Sequence, residues 1–247
     1  MMLTDKHAIV YGAAGPIGSA VARAFASEGA TVHLAGRTAE RLERIADEIR
    51  TAGGTADVAV VDALDEKSVD EHAGSLARID ISFNLIGHQQ FFGTPLVDMP
   101  LADFEQPITT MVRTFYLTSR AAARRMIPQG SGVILTFGGY GDPAANLGGF
   151  QVGFGAVEAL RRGLALELGQ HGIRVVTLQT NGIPEAVPAD FPEKAAQAIA
   201  KHTADSTMLK RAATLSDVGT LAAFAASDLA RSITGTALNL TAGAVVN

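Results

Sequence analysis

Seven short apolar runs alternate with amphipathic stretches along this chain, and no other feature so narrows the folds open to it. The runs, at 8–11, 31–35, 56–61, 79–86, 132–137, 174–178 and 237–240, have strand length. The stretches at 16–28, 39–52, 67–76, 101–126, 150–170 and 215–226 carry apolar residues at helical spacing. A strand followed by a helix re-enters the sheet from the same end, so successive strands lie parallel. The expectation is a three-layer α/β fold: one seven-stranded parallel sheet with helices on both faces. At 247 residues and 47% apolar composition the chain can bury such a sheet as one domain, 1–247. The segment 184–209 is the least regular, with Pro184, Pro188 and Pro192 opening a mixed helical stretch. It reads as an insertion walling a cleft, or equally as a plain surface excursion.

Residues 8–19 sharpen this reading, because a short apolar strand there breaks into a turn spaced by Gly12, Gly15 and Gly18 and enters a helix at Pro16. Gly12 permits a tight exit from the strand, Gly15 lets backbone N–H groups approach an anion, and Gly18 lets the helix lie close to the sheet. The first-turn amides, Ile17 among them, then face a nucleotide phosphate at the positive end of the helix. The same spacing also arises in ordinary strand-to-helix turns, so the chemistry has to be argued from other residues.

Composition removes several classes of function. The net charge is −5 with both signs mixed along the chain, so no basic stripe offers itself to nucleic acid. There is no cysteine, which excludes disulfides, thiol nucleophiles and thiolate metal sites and leaves the redox compartment unreadable. The six histidines are scattered along the sequence, and no metal site is expected. No apolar run reaches the ~18 residues that span a bilayer, and residues 1–5 lead straight into the first strand. The expectation is a cytoplasmic protein with no membrane partner.

Several segments together resemble the short-chain dehydrogenase/reductase family over nearly the whole chain, and the resemblance implies a Rossmann-like fold. Gly12, Gly15 and Gly18 look like its phosphate loop. Asp62, with Ala63 after it, stands where that family places an acid against the adenine. Asn84-Leu85-Ile86-Gly87 is similar to its Asn-Asn-Ala-Gly element, which steadies the central sheet and lines the ribose, so Asn84 and Gly87 join the implied cofactor set. Residues 156–169, followed by Gly172-Ile173-Arg174-Val175, resemble its most recognisable helix and strand, and Ile233-Thr234-Gly235 with Ala242-Gly243 echo its last strand. At the end of the second strand an acid would suit the ribose hydroxyls of NAD, whereas this chain has Gly36-Arg37. A guanidinium there grips a phosphate with two hydrogen bonds and points to NADP, with NAD remaining open. The alternative is that Arg37 is a solvated charge opening the next helix.

The family's carbonyl chemistry uses a Tyr-x-x-x-Lys pair on a helix, a serine at the preceding strand end and often an asparagine one helix earlier. Counting back from Glu167-Leu168-Gly169 puts Phe150 and Phe154 at the pair, Gly138 or Gly139 at the serine, and Thr110 near the asparagine. None of these carries the same function. The turn after the sixth strand departs as well, with Asn181-Gly182 for Pro-Gly and Ala186 where a threonine often stands. General acid catalysis supplies ~10²–10⁴-fold and an oxyanion hydrogen bond another ~10²–10³, so their joint loss slows reduction by roughly four to seven decades. Sliding the frame by four residues brings Phe154 and Glu158 to the pair and restores neither a phenol nor a cation.

Ligands in such sheets sit beyond the C-terminal strand ends, where the loops after Gly87, Phe137 and Leu178 fall. Those loops carry His88, Gln89, Gln90, Tyr140, Asp142, Gln151 and Glu185. Tyr140 or His88 is a candidate substitute acid or base, and the alternative is that they are loop groups facing water. Phe91, Phe92, Phe150 and Phe154 would make the pocket apolar and suit a hydrophobic small molecule, unless they are simply packed core. Met111, Phe115 and Leu117 recur at helical spacing as core. The resemblance implies a homodimer or homotetramer built on the two long helices. Three functions stay open: an oxidoreductase-family protein with a retained NAD(P) site and non-standard or very slow activity; a noncatalytic nucleotide- or metabolite-binding protein or partner subunit; and an ordinary NADP-dependent reductase with replacement groups.

Overall fold

The computed structural model describes residues 1–87, 91–138, 145–188 and 191–246. The chain runs β1 (His7–Tyr11), α1 (Pro16–Ser27), β2 (Thr31–Gly36), α2 (Ala39–Thr51), β3 (Thr55–Val60), α3 (Glu66–Ser75) and β4 (Ile81–Asn84). It continues through α4 (Leu101–Gln129), β5 (Gly132–Gly138), α5 (Gly149–Leu168), β6 (Ile173–Thr180), α6 (Glu193–Asp205), α7 (Leu215–Ala226) and β7 (Thr236–Leu240). The strands form one parallel sheet in the order β3-β2-β1-β4-β5-β6-β7. This is the expected Rossmann-like architecture. The central strands read as near-continuous apolar runs because both of their faces are covered.

Two cores flank the sheet. On one face Val21, Phe25, Leu42, Ile45, Val218 and Ala222 pack α1, α2 and α7 against Val10, Leu34 and Phe83. On the other, Val69, Met111, Phe115, Leu117 and Val157 pack α3, α4 and α5 against Ile9, Ile134 and Val175. The expected helical core positions Met111, Phe115 and Leu117 are all buried. Chain order reverses between β1 and β4, which are neighbours in the sheet, so the loops leaving those two strands open a crevice at their C-terminal ends.

Local chemistry moved several boundaries. The run 79–86 contributes Ile81–Asn84 as β4, and just before it Asp80 turns its carboxylate to Arg78 and to the His7 N–H while its backbone bonds His7 and Val133. Helix α4 runs on past 126 to Gln129 and stops where Gly130 adopts φ 69°. The segment 184–209 contains α6, a full helix that the prolines ahead of it obscure. Three of the six histidines, far apart in sequence, come to one face of the sheet: His7 and His33 in contact, and His72 on α3 against Tyr11. Among the described residues no helix is long and apolar enough to cross a membrane.

Candidate functional site

The crevice begins at the turn between β1 and α1. Gly12 has φ 79°, and a Cβ there would enter the carbonyl of Leu85 on the neighbouring β4 loop. A Cβ at Gly18 would likewise enter the Gly12 carbonyl, so the first turn of α1 lies directly on the loop. Gly15 differs, since its added Cβ would come no nearer than 3.4 Å to the Gly12 oxygen. The protein's own packing therefore demands glycine at 12 and 18 and leaves space beside 15. Helix α1 starts at Pro16, has no side-chain cap and no acid in its first turn, and its earliest backbone bond runs from Ser19 N–H to the Gly15 carbonyl at 2.8 Å. The Ile17 and Gly18 amides precede that bond and have no helical acceptor behind them. An anion is the natural partner for such an end.

Three strand ends complete the rim. Gly12 N–H donates to Ala35 carbonyl at 2.9 Å, which holds the turn beside the exit of β2, and Arg37 emerges there with an exposed side chain. No carboxylate pairs with Arg37 among the described residues. Past β3, exposed Asp62 accepts the Leu64 N–H at 3.0 Å while buried Ala63 anchors the turn. Past β4, buried Asn84 donates to Thr118 Oγ1 at 3.2 Å and accepts the Ile86 N–H at 3.0 Å, fastening the strand end to α4. Gly87 is exposed, and a Cβ there would meet open space.

On the β5 and α5 side the surface is aromatic. The rings of Phe92 and Phe150 meet edge to face at 5.4 Å, and those of Phe150 and Phe154 at 4.5 Å. Phe154 is buried, Phe150 half-buried and Phe92 exposed, so the ladder runs from the core to the surface. Gly138 ends β5 below it, where a Cβ would stand 3.0 Å from Thr177 Cγ2 and 3.9 Å from the Phe154 ring. Thr110, buried on α4, accepts a hydrogen bond from Gln106 at 3.3 Å. Glu185 is spent elsewhere, since its carboxylate takes the Leu215 N–H at the start of α7 at 2.8 Å. Tyr140, Asp142, Gly139, His88, Gln89 and Gln90 lie outside the described residues.

One feature beneath this surface went unanticipated. Glu158 and Arg161, one turn apart on α5, form a buried ion pair at 2.9 Å, and Thr177 of β6 donates its hydroxyl to Glu158. The signal was present in the sequence: both charges fall on the helix stripe that carries Phe154, Val157 and Leu168, where apolar residues belong.

A family model described as enoyl-(acyl carrier protein) reductase matches residues 12–244. The 7α-hydroxysteroid dehydrogenase of Escherichia coli is 29% identical over 252 residues, spanning 99% of this chain and 96% of that protein. Secoisolariciresinol dehydrogenase of Forsythia intermedia is 34% identical over 199 residues, 76% of this chain and 70% of that protein. Among solved structures, NAD⁺-bound xylitol dehydrogenase superposes with a TM-score of 0.87 at 25% identity, covering 98% of this chain and all of that one.

Proposed function

The chain belongs to the short-chain dehydrogenase/reductase family, an oxidoreductase family that works with nicotinamide cofactors, and from that premise we propose that it binds NADP but has lost the means of ordinary carbonyl reduction. Its residues fit the cofactor: the space beside Gly15, the uncapped start of α1 and the exposed Arg37 are the donors that phosphates require. In this reading Gly12, Gly15, Ile17 and Gly18 hold the pyrophosphate, and Arg37 grips the additional phosphate. Asp62 and Ala63 border the adenine, and Asn84 and Gly87 border the ribose. When bound, NADPH would supply a hydride.

The observation that carries the negative half is the Phe92-Phe150-Phe154 ladder. A benzene ring at 150 donates no proton to a developing alkoxide, and one at 154 brings no cation to a ribose. With glycine at 138 and threonine at 110, the serine hydroxyl and asparagine amide that would stabilise the oxygen are absent from those positions. Tyr140 and His88 are the substitutes we propose should any activity remain. The chain acts in this view as one domain, with 184–209 as a substrate-side insertion and an apolar small molecule as its ligand. Exposed Leu166 and Val152 on α5 and Tyr116 on α4 support assembly through those helices into a homodimer or homotetramer.

Calorimetric titration with NADPH, NADP and NADH, followed by an assay over carbonyl compounds, tests both halves. The expected result is NADPH binding with turnover absent or very slow; a complete lack of turnover favours the noncatalytic binding role. Failure to bind any dinucleotide removes the cofactor reading, and rapid reduction of simple carbonyls removes the reading of Phe150 and Phe154.

A further inference from the structure

Away from the crevice, at the opposite end of β1, β2 and β3, polar side chains form a line across three strands. His7 Nδ1 lies 3.3 Å from His33 Nε2, and His33 Nδ1 lies 3.5 Å from Asp57 Oδ2. The imidazole planes are 15° apart with centroids 5.5 Å apart. A centroid separation so much longer than the nitrogen contact means that the rings meet edge to edge in a nearly common plane. Each aims a lone pair or N–H at the other instead of converging on a third point, which favours a shared proton over a metal ion. No group of three potential metal-ligating side chains of this kind stands together among the described residues.

We propose that His7, His33 and Asp57 form an acid-sensitive clamp across the first three strands, closed while the two imidazoles share a proton and open once each carries its own. In the neutral form His33 accepts His7 Nδ1–H at Nε2 and turns its own Nδ1 toward the Asp57 carboxylate, which ion-pairs with it once it is charged. One added proton keeps the chain intact, because His33 then donates on both sides and His7 turns a bare Nδ1 toward it. A second proton sets N–H against N–H. His33 is only 7% exposed, so water has little room to relieve that opposition.

The other charged groups around the pair favour the same outcome. Burial lowers the His33 pKa and outweighs the opposing pull of Asp57, with His7 lowering it further. On α3, His72 feels the charge of His33 and offers no anion to it. Asp80, in the turn before β4, takes the His7 backbone N–H at 2.9 Å but is already paired to Arg78 at 2.7 Å. Behind β3, Arg50 of α2 holds the Ala56 carbonyl at 2.8 Å, with its charge already paired to Glu43 and Asp47. The opposition falls between His7 of β1 and His33 of β2, whereas a charged His33 holds Asp57 more firmly, so opening the clamp loosens β2 and its edge neighbour β3 together from β1.

Histidine ring nitrogens followed by NMR through a pH titration, with amide exchange on the same samples, test the clamp. In the wild type, His33 should be in the Nδ1–H form when neutral, and its ring shifts should move in two steps, first with the shared proton and then with the second. His7→Gln should raise the His33 transition, and Asp57→Asn, at a largely exposed side chain, should lower it. As the second proton binds, exchange at the amides that pair β1 with β2 should accelerate roughly tenfold more than at those that pair β2 with β3. A His33 transition unmoved by either substitution would overturn the clamp, and so would amides between β1 and β2 that quicken no more than those between β2 and β3. If His7→Gln does not fold, the wild type and Asp57→Asn decide the matter alone.

Discussion

At the scale of single residues, the turn after β1 separates Gly12 and Gly18, which the packing demands, from Gly15, which it does not. Gly12→Ala places a Cβ at φ 79° against the Leu85 carbonyl, and we expect a loss of roughly 2–4 kcal/mol, seen as a lower denaturant midpoint with unchanged slope. Arg37 tests the nucleotide assignment without touching the fold, because its side chain is exposed and unpaired among the described residues. Removing a charged hydrogen-bonding partner costs about 1.5–3 kcal/mol, so Arg37→Gln should weaken NADPH binding by roughly 10–100-fold. NADH binding, measured in parallel, should hardly change. Glycine spacing and the cation after β2 were legible in the sequence because local backbone geometry dictates both. The partners of Glu185 and Asn84 were not, since they lie thirty or more positions away on other elements.

At the scale of elements, α5 and α3 carry charges that the sheet confines. Glu158→Ala would leave Arg161 buried without its anion, at a cost of about 3–5 kcal/mol, whereas Glu158→Leu with Arg161→Met together should be close to neutral. Thermal or denaturant melting of the single and double variants checks this. On α3, burial followed by the charge of His33 lowers the pKa of His72 from 6.5 to about 4. The folded value lies below the unfolded one, so the stabilisation is complete above pH 6.5 and declines as pH falls toward 4. The decline is on the order of 3 kcal/mol, and His72→Gln should flatten the stability profile over that window. Strands β1, β4, β5 and β6 were readable as apolar runs because helices cover them on both sides, whereas the edge strands β3 and β7 are partly exposed. The meeting of His7, His33 and Asp57 was hidden because only the parallel register, which sets Ile9 beside His33 and His33 beside Asp57, brings those positions together.

At the scale of the whole molecule, the family scaffold is kept, and in the proposed reading its reactive corner is filled with hydrocarbon. The sheet order, the crevice between β1 and β4 and the glycine turn all follow from one alternating pattern, which made the fold legible from end to end. The site was legible only in part. A sequence shows phenylalanine at 150 and 154, but the ring ladder with Phe92 and the crowding of Gly138 by Thr177 arise from packing between α5, β6 and the segment after β4. Hydride transfer from preloaded NADPH to a panel of carbonyl compounds in a single turnover is the most direct measurement of the central claim. The account predicts that NADPH binds and stays unoxidised, or reacts roughly four to seven decades below a competent reductase. Oxidation of the bound NADPH at roughly 1–10³ s⁻¹ would contradict it.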